Sequence, residues 1–352
     1  MIIGGLAAIA GVLPLHGCYY MQAISGHTQL MSQRRPMTEV LADPDASEAL
    51  KERLRLVQDA RRFSIEELKL PDNDSYRSYA DLGRDYVVWN VFAAPEFSLQ
   101  PKEWCYIVAG CVAYRGYFHR EDAVEEAEEL REDGFDVAMG GVSAYSTLGK
   151  FADPVLNTMM QWSNADLVAT LFHELAHQEL YVKGDTQFNE SFASAVSDIG
   201  LERWFSRRGK LDALEEYRDT NALRHELLQL VEAAKADLGD LYASNLDDDE
   251  KRRQKRARLD ALSADAATLF AAAGLDTNPL PAPLNNARLA SLGLYEGWVP
   301  AFRAMYVECG ERITCLYDRA REVAALPVDE RTARLELLSA AQEAPERVAD
   351  SS

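Results

Sequence analysis

Residues 165–193 read ADLVATLFHELAHQELYVKGDTQFNESFA. The run Ala165–Phe172 is mostly apolar and helix-compatible, so it predicts a largely buried helix carrying His173-Glu174-Leu175-Ala176-His177. Positions i and i+4 of a helix share a face, so His173 and His177 point the same way. Two neutral imidazoles so placed supply half of a tetrahedral zinc shell, and Glu174 between them can reach a water on the metal. The alternative for an isolated HExxH is an exposed helix with two histidines. The apolar flank argues against it, because buried imidazoles need partners. Lys183-Gly184-Asp185 breaks the helix. A second helix is expected from near Phe188 to about Phe205, with Glu190 in its first turn as third ligand. Three protein ligands leave the fourth position open, the arrangement of a catalytic zinc, and one ion is expected.

Outward from this pair, Tyr86–Phe92 reads as a strand, Trp104–Val112 as another, and Asp136–Tyr145 as a third, loosened by Gly140-Gly141. Arg120–Asp133 reads as an acidic helix, and residues 46–69 and 285–326 as helical. Residues 206–275 are long, charged and helical, and predict an antiparallel hairpin turning near Asn245–Asp249. The basic run Lys251–Arg256 on it reads as a solvated face, with contact to anionic headgroups as the alternative. The last dozen residues are expected to fray. The fold class is therefore α+β and mostly helical: zincin-like zinc helices beside a small mixed sheet, with a long helical hairpin.

The 352 residues include 47% hydrophobic side chains, enough for a sizeable core. A net charge of −20 argues against nucleic acid as a partner, since phosphate binding needs a basic surface. Ile2–Leu15 is an uncharged apolar run too short to span a bilayer and of signal-peptide length. It leads into Leu15-His16-Gly17-Cys18, similar to a lipobox in which Cys18 carries lipid. Residues 1–17 are then a lipoprotein signal peptide, and 18–352 a single domain in which 206–275 is an insertion. A plain apolar segment that anchors or packs is the alternative. Besides Cys18 the chain has Cys105, Cys111, Cys309 and Cys315. An even remainder in an exported chain suggests disulfides. Pairing 105 with 111 and 309 with 315 is simplest; two other connectivities remain, and buried thiols are the alternative.

The chain resembles the bacterial putative aminopeptidases, zinc lipoproteins of the gluzincin type. The resemblance is carried by Gly17-Cys18 with the following Tyr19–His27, by Val87–Phe97, Val108–Phe118 and Ala144–Gly149, by HELAH, by Phe188–Ala193, and by Asn285–Leu289. These blocks span nearly the whole chain. The resemblance implies His173, His177 and Glu190 as zinc ligands, Glu174 as the catalytic residue, and a lipid-anchored protein of the bacterial envelope facing the periplasm.

Such residues point to metal-assisted amide hydrolysis of a peptide substrate, with Glu174 as general base and then acid. Tyr295 and Arg288 are the oxyanion candidates; packing for Tyr295 and a carboxylate partner for Arg288 are the alternatives. Ser194 and Asp198 could orient the imidazoles, or form a packing face. Asn189 could cap its helix. Gly141, Val142, Ser143, Ala144 and Tyr145, after Gly140, are the candidate edge strand for the substrate backbone. An aminopeptidase also needs an acid for the free α-amine; Glu96, Glu179 and Glu296 are candidates. Two readings compete with aminopeptidase action. One is endoproteolysis in the envelope, and the other a non-catalytic zinc-bound lipoprotein whose hairpin engages a partner. The sequence does not determine the oligomeric state.

Overall fold

The computed structural model describes residues 13–106, 110–292 and 297–349, with the side chains of 13–18 and 341–349 left aside. Its helices are α1 (Leu13–Ser32), α2 (Met37–Ala42), α3 (Glu48–Glu66), α4 (Arg120–Glu132), α5 (Asn164–Glu179) and α6 (Thr186–Arg207). They continue as α7 (Leu211–Ala243), α8 (Asp248–Ala272), α9 (Asn286–Leu292), α10 (Val299–Glu308), α11 (Ile313–Ala324) and α12 (Val328–Ala349). The strands are β1 (Arg35–Pro36), β2 (Ser78–Ala80), β3 (Val88–Pro95), β4 (Trp104–Tyr106), β5 (Gly110–Val112), β6 (Arg115–Tyr117), β7 (Phe135–Val142) and β8 (Val155–Leu156). The chain is α+β and mostly helical. Among the described residues no helix is long and apolar enough to cross a membrane.

The large core is built on α5 and α6. α5 starts at a capped turn: Ser163 Oγ accepts from the Asp166 backbone N–H at 3.0 Å and donates to its carboxylate at 2.7 Å. It then buries Leu167, Val168, Leu171, Phe172, Leu175 and Ala176. α6 lies against it because Gly200 has no side chain. A Cβ there would come within 2.8 Å of the Phe172 ring and 2.7 Å of Leu68. Ser197 Oγ donates to the Ala169 carbonyl at 2.7 Å, tying the two helices together. α3, α10 and α11 surround the pair and contribute Leu54, Phe63, Phe302 and Tyr317 to the core.

Beside this core stands the antiparallel sheet β6–β3–β7, with β7 on its edge and α4 on one face. A second small sheet, β1–β2–β8, is mixed. The strand expected over 104–112 is instead a hairpin, β4–β5, in which Cys105 faces Cys111 and is bonded to it. Gly110 at φ +80 begins the return strand, a conformation that suits glycine. Cys309 is bonded to Cys315 at the junction of α10 and α11. Of the tail expected to fray, residues 341–349 continue α12 to Ala349, and 350–352 lie outside the described residues.

α7 and α8 form the long hairpin, turning at Ser244–Asp247. They bury their own cluster of Val231, Ala234, Leu238, Leu259, Leu262 and Ala266, which continues into Leu280, Leu284 and Leu289. Polar contacts fasten α8 to the sheet. Lys255 Nζ donates to Asp136 at 2.6 Å and to the Glu96 carbonyl at 2.7 Å. Arg252 grips the Glu96 carboxylate through two nitrogens. Much of the basic run Lys251–Arg256 is thus engaged within the molecule.

Candidate metal centre

His173 and His177 stand one turn apart near the C-terminal end of α5, and Glu190 faces them from the first turns of α6. A tight connection brings the two helices to this register. Gly184 turns at φ +83, and Asp185 caps α6 by accepting from the Phe188 N–H at 3.0 Å. Asn189 is therefore not the cap. α6 opens at Thr186, which puts Asn189 inside it. There its buried amide accepts from the Val182 N–H at 2.7 Å and donates to the Val182 carbonyl at 2.8 Å. That clamp fixes the connection one residue before Glu190.

His173 Nε2 lies 3.1 Å from His177 Nε2 and 3.2 Å from Glu190 Oε2, and His177 Nε2 lies 3.6 Å from the same oxygen. Tetrahedral zinc bonds of about 2.0–2.1 Å set donor atoms roughly 3.3 Å apart, a value these three distances bracket. Two imidazole nitrogens and a carboxylate turned toward one point also make a donor set that a divalent cation satisfies. The three residues can hold a metal ion. Burial favours neutral His173, but its bond to Glu190 and the charges of Glu174, Glu190 and Asp198 outweigh burial and raise its pKa. Burial likewise pushes the Glu190 carboxyl up; its bonds to the two histidines reverse this and hold it at about 2. The far nitrogen of His177, Nδ1, is buried without a hydrogen-bond partner among the described residues.

His173 and Glu174 open into a cleft of about 1020 Å³. One wall is α5 together with Trp162 just ahead of it, and the floor includes Ser194, Ser197 and Asp198 of α6. α7 supplies the opposite wall through positions from Tyr217 to Glu232 at steps of three and four. Fifteen steps of helix give that wall a length of about 22 Å. Extended chain at roughly 3.3 Å per residue would occupy it with about seven residues.

Gly141, Val142, Ser143 and Ala144 line the same cleft. Val142 is the last residue of β7, and its carbonyl accepts from Val87 N–H at 2.8 Å. By the alternation of an antiparallel pair, the backbone groups of Gly141 point away from β3. The glycine itself answers to the protein, since a Cβ at Gly141 would lie 2.3 Å from the Tyr86 ring. Ser143 and Ala144 have left the strand, and the Ser143 carbonyl accepts from Thr158 Oγ1 at 2.6 Å. Tyr145 does not belong to the edge. Its hydroxyl meets His27 Nδ1 at 3.0 Å and its ring packs on Phe118.

Ser194 and Asp198 both face the cleft. Asp198 accepts from Tyr217 Oη at 2.5 Å and Asn221 Nδ2 at 3.4 Å, which joins α6 to the α7 wall. Arg288 is half-buried on α9 and does not line the cleft; Tyr295 and Glu296 lie outside the described residues. Glu96 is held by Arg252 and Glu179 by Arg321, so neither faces the cleft as a free acid. Sequence reasoning missed the α7 wall, because Tyr217, Asn221 and Arg224 sit in a helix that reads as charged throughout. Burial, then the charge of nearby Glu190, pushes the Tyr114 hydroxyl up to about 12.

Adjacent helices thus carry the HExxH segment and the downstream glutamate, with a small sheet alongside. The family model described as "Putative aminopeptidase" matches residues 18–335, and the chain belongs to that family. No curated protein and no solved structure matches it.

Proposed function

We propose that this protein is a zinc-dependent peptidase that hydrolyses peptide bonds with Glu174 as general base. The observation that carries the reading is the convergence of His173, His177 and Glu190 donor atoms within 4.8 Å, beside a carboxylate that lines a long cleft. His173, His177 and Glu190 would hold the ion, which when bound supplies a nucleophilic water at neutral pH and polarises the scissile carbonyl. Glu174 follows His173 on the cleft side of α5. Its carboxylate takes the proton of the attacking water and returns it to the leaving amine. The backbone of Gly141 hydrogen-bonds the substrate main chain as an added strand.

Aminopeptidase action is the favoured mode, in keeping with the family. Cleavage within a chain is the second reading, and the length of the α7 wall favours it. A free α-amine would find its acid in Asp166, which is exposed and lines the cleft, rather than in Glu96 or Glu179. Export and lipid attachment at Cys18 belong to the same proposal. Their support is the apolar Ile2–Leu15 run, the lipobox-like Leu15–Cys18 and a family match that starts at residue 18.

The test is hydrolysis of free-amine aminoacyl substrates and N-blocked peptides by the zinc-loaded wild type. Cleavage of the first group alone establishes an aminopeptidase, and cleavage of blocked peptides establishes the second reading. Silence across the panel would contradict the enzymatic proposal and favour a zinc-bound binding protein.

A further inference from the structure

The N-terminal helix α1 has two unlike faces. One is fastened to the body of the molecule. Tyr19 stacks on Tyr106 at 5.5 Å between ring centroids, and the Arg115 guanidinium lies 4.3 Å from the Tyr19 ring. Gln22 donates to the Gly116 carbonyl and accepts from the Phe118 N–H, both at 3.2 Å. Gly26 presses so closely on Phe118 that a Cβ would lie 2.1 Å from its ring. Leu30 is buried.

The other face carries Met21 and Ile24, exposed by 68% and 61%, and at its border Tyr20, exposed by 38% with its ring edge-on to Tyr106 at 6.4 Å. Spacings of three and four put them on one side of the helix. Other large exposed apolar side chains among the described residues are scattered along the chain, whereas these three share a single turn. Residues 1–33 contain no Asp, Glu, Lys or Arg, although the chain holds 57 acidic and 37 basic residues. The surface of a protein with net charge −20 is repelled by anionic headgroups; this uncharged stripe is not.

We infer that this face of α1 docks on the lipid bilayer, so that the folded body sits on the membrane with no linker after its anchor. The inference rests on the proposed lipid attachment at Cys18. Tyr19, the next residue, is already packed into the fold, so a lipid at Cys18 holds Tyr20, Met21 and Ile24 at the membrane surface. The chemistry of the stripe suits that depth. Met and Ile enter the acyl boundary, while the tyrosine keeps its hydroxyl among the headgroups.

The experiment uses the full-length, lipid-processed protein reconstituted into phosphatidylethanolamine–phosphatidylglycerol vesicles. Single Met21→Cys and Ile24→Cys variants carry an NBD fluorophore, and Leu246→Cys, exposed between α7 and α8, is the control. At the expected depth of about 5–10 Å, doxyl-labelled lipids quench NBD at 21 and 24 about twofold or more and leave 246 unchanged. Equal, weak quenching at all three sites on protein that remains with the vesicles overturns the docking while the anchor stands. A blue shift at 21 and 24 without lipid quenching points to contact with a second copy and also overturns it. Retention and the mass of the N-terminal peptide are read in the same sample. Absence of both retention and lipid mass overturns the anchor reading itself, and the docking with it.

Discussion

The α5–α6 pair and the α7–α8 hairpin are both antiparallel helix pairs, yet they are held in different ways. α5 and α6 meet face to face, with Gly200 against the Phe172 ring and Ser197 bonded across the gap. Their polar atoms converge on one point. α7 and α8 bury a core between them that continues into Leu280, Leu284 and Leu289, Leu214 joins the large core, and polar ties at Lys255, Arg252 and Tyr217 add to these contacts. Close packing thus fixes His173, His177 and Glu190, whereas a hairpin with a core largely distinct from theirs lines the cleft beside them. If the proposed function holds, a site built this way can change its substrate wall without disturbing its metal.

The largest effect expected on the ligand side is chemical. Glu174→Gln should lower peptide hydrolysis by a factor of about 10²–10⁴ or more, with bound zinc unchanged. Loss of zinc in that variant would show that Glu174 is structural. Next comes pH. Burial raises Asp153, whose side chain is wholly enclosed and bonded to Thr147, to about 6 from a usual carboxylate value. The folded state therefore binds this proton more tightly than the unfolded chain. Stability from this group should fall by about 3 kcal/mol as pH rises from below 4 to above 6. Melting curves of wild type and Asp153→Asn across that range should diverge, the variant losing the decline. Parallel curves would contradict the assignment.

Two substitutions then set the regions against each other. Gly200→Ala intrudes on Phe172 and Leu68 and should cost about 1–3 kcal/mol in chemical denaturation, weakening zinc retention as well. Lys255→Ala should cost a comparable 1–3 kcal/mol, on the order expected for a partly buried charged hydrogen bond, and raise KM while zinc stays bound. Equal effects of these two variants on zinc would erase the distinction between the regions. Smallest is Gly239→Ala in α7, where an added Cβ meets nothing within 4 Å. It should stabilise by about 0.4–1 kcal/mol, measured the same way.

Much of the ligand side was legible because its signals are local. Helical spacing puts His173 and His177 on one face, and a glycine-containing break predicts the return that presents Glu190. The α7–α8 hairpin was legible as a shape, since long polar periodicity and the Asn245–Asp249 turn are also local. Its role as a cleft wall was not, because Tyr217 reaches Asp198 only through the packing of α7 on α6. Asn189 misleads for a related reason. It has the chemistry of a cap, but Asp185 four residues earlier takes that role, leaving the amide free to clamp Val182. Gly141 invites a reading of open access to substrate, while in the fold its missing side chain makes room for Tyr86. Tyr145 continues an edge pattern on paper, but the chain leaves β7 at Val142 and turns Tyr145 toward His27.

Zinc stoichiometry in wild type, Glu190→Ala and Glu174→Gln, measured by elemental analysis after dialysis against a trace of the metal, tests the account most directly. One ion per chain in wild type and in Glu174→Gln, with loss in Glu190→Ala, is the predicted result. Zinc that is absent from the wild type, or that is indifferent to the loss of Glu190, would contradict the metal centre.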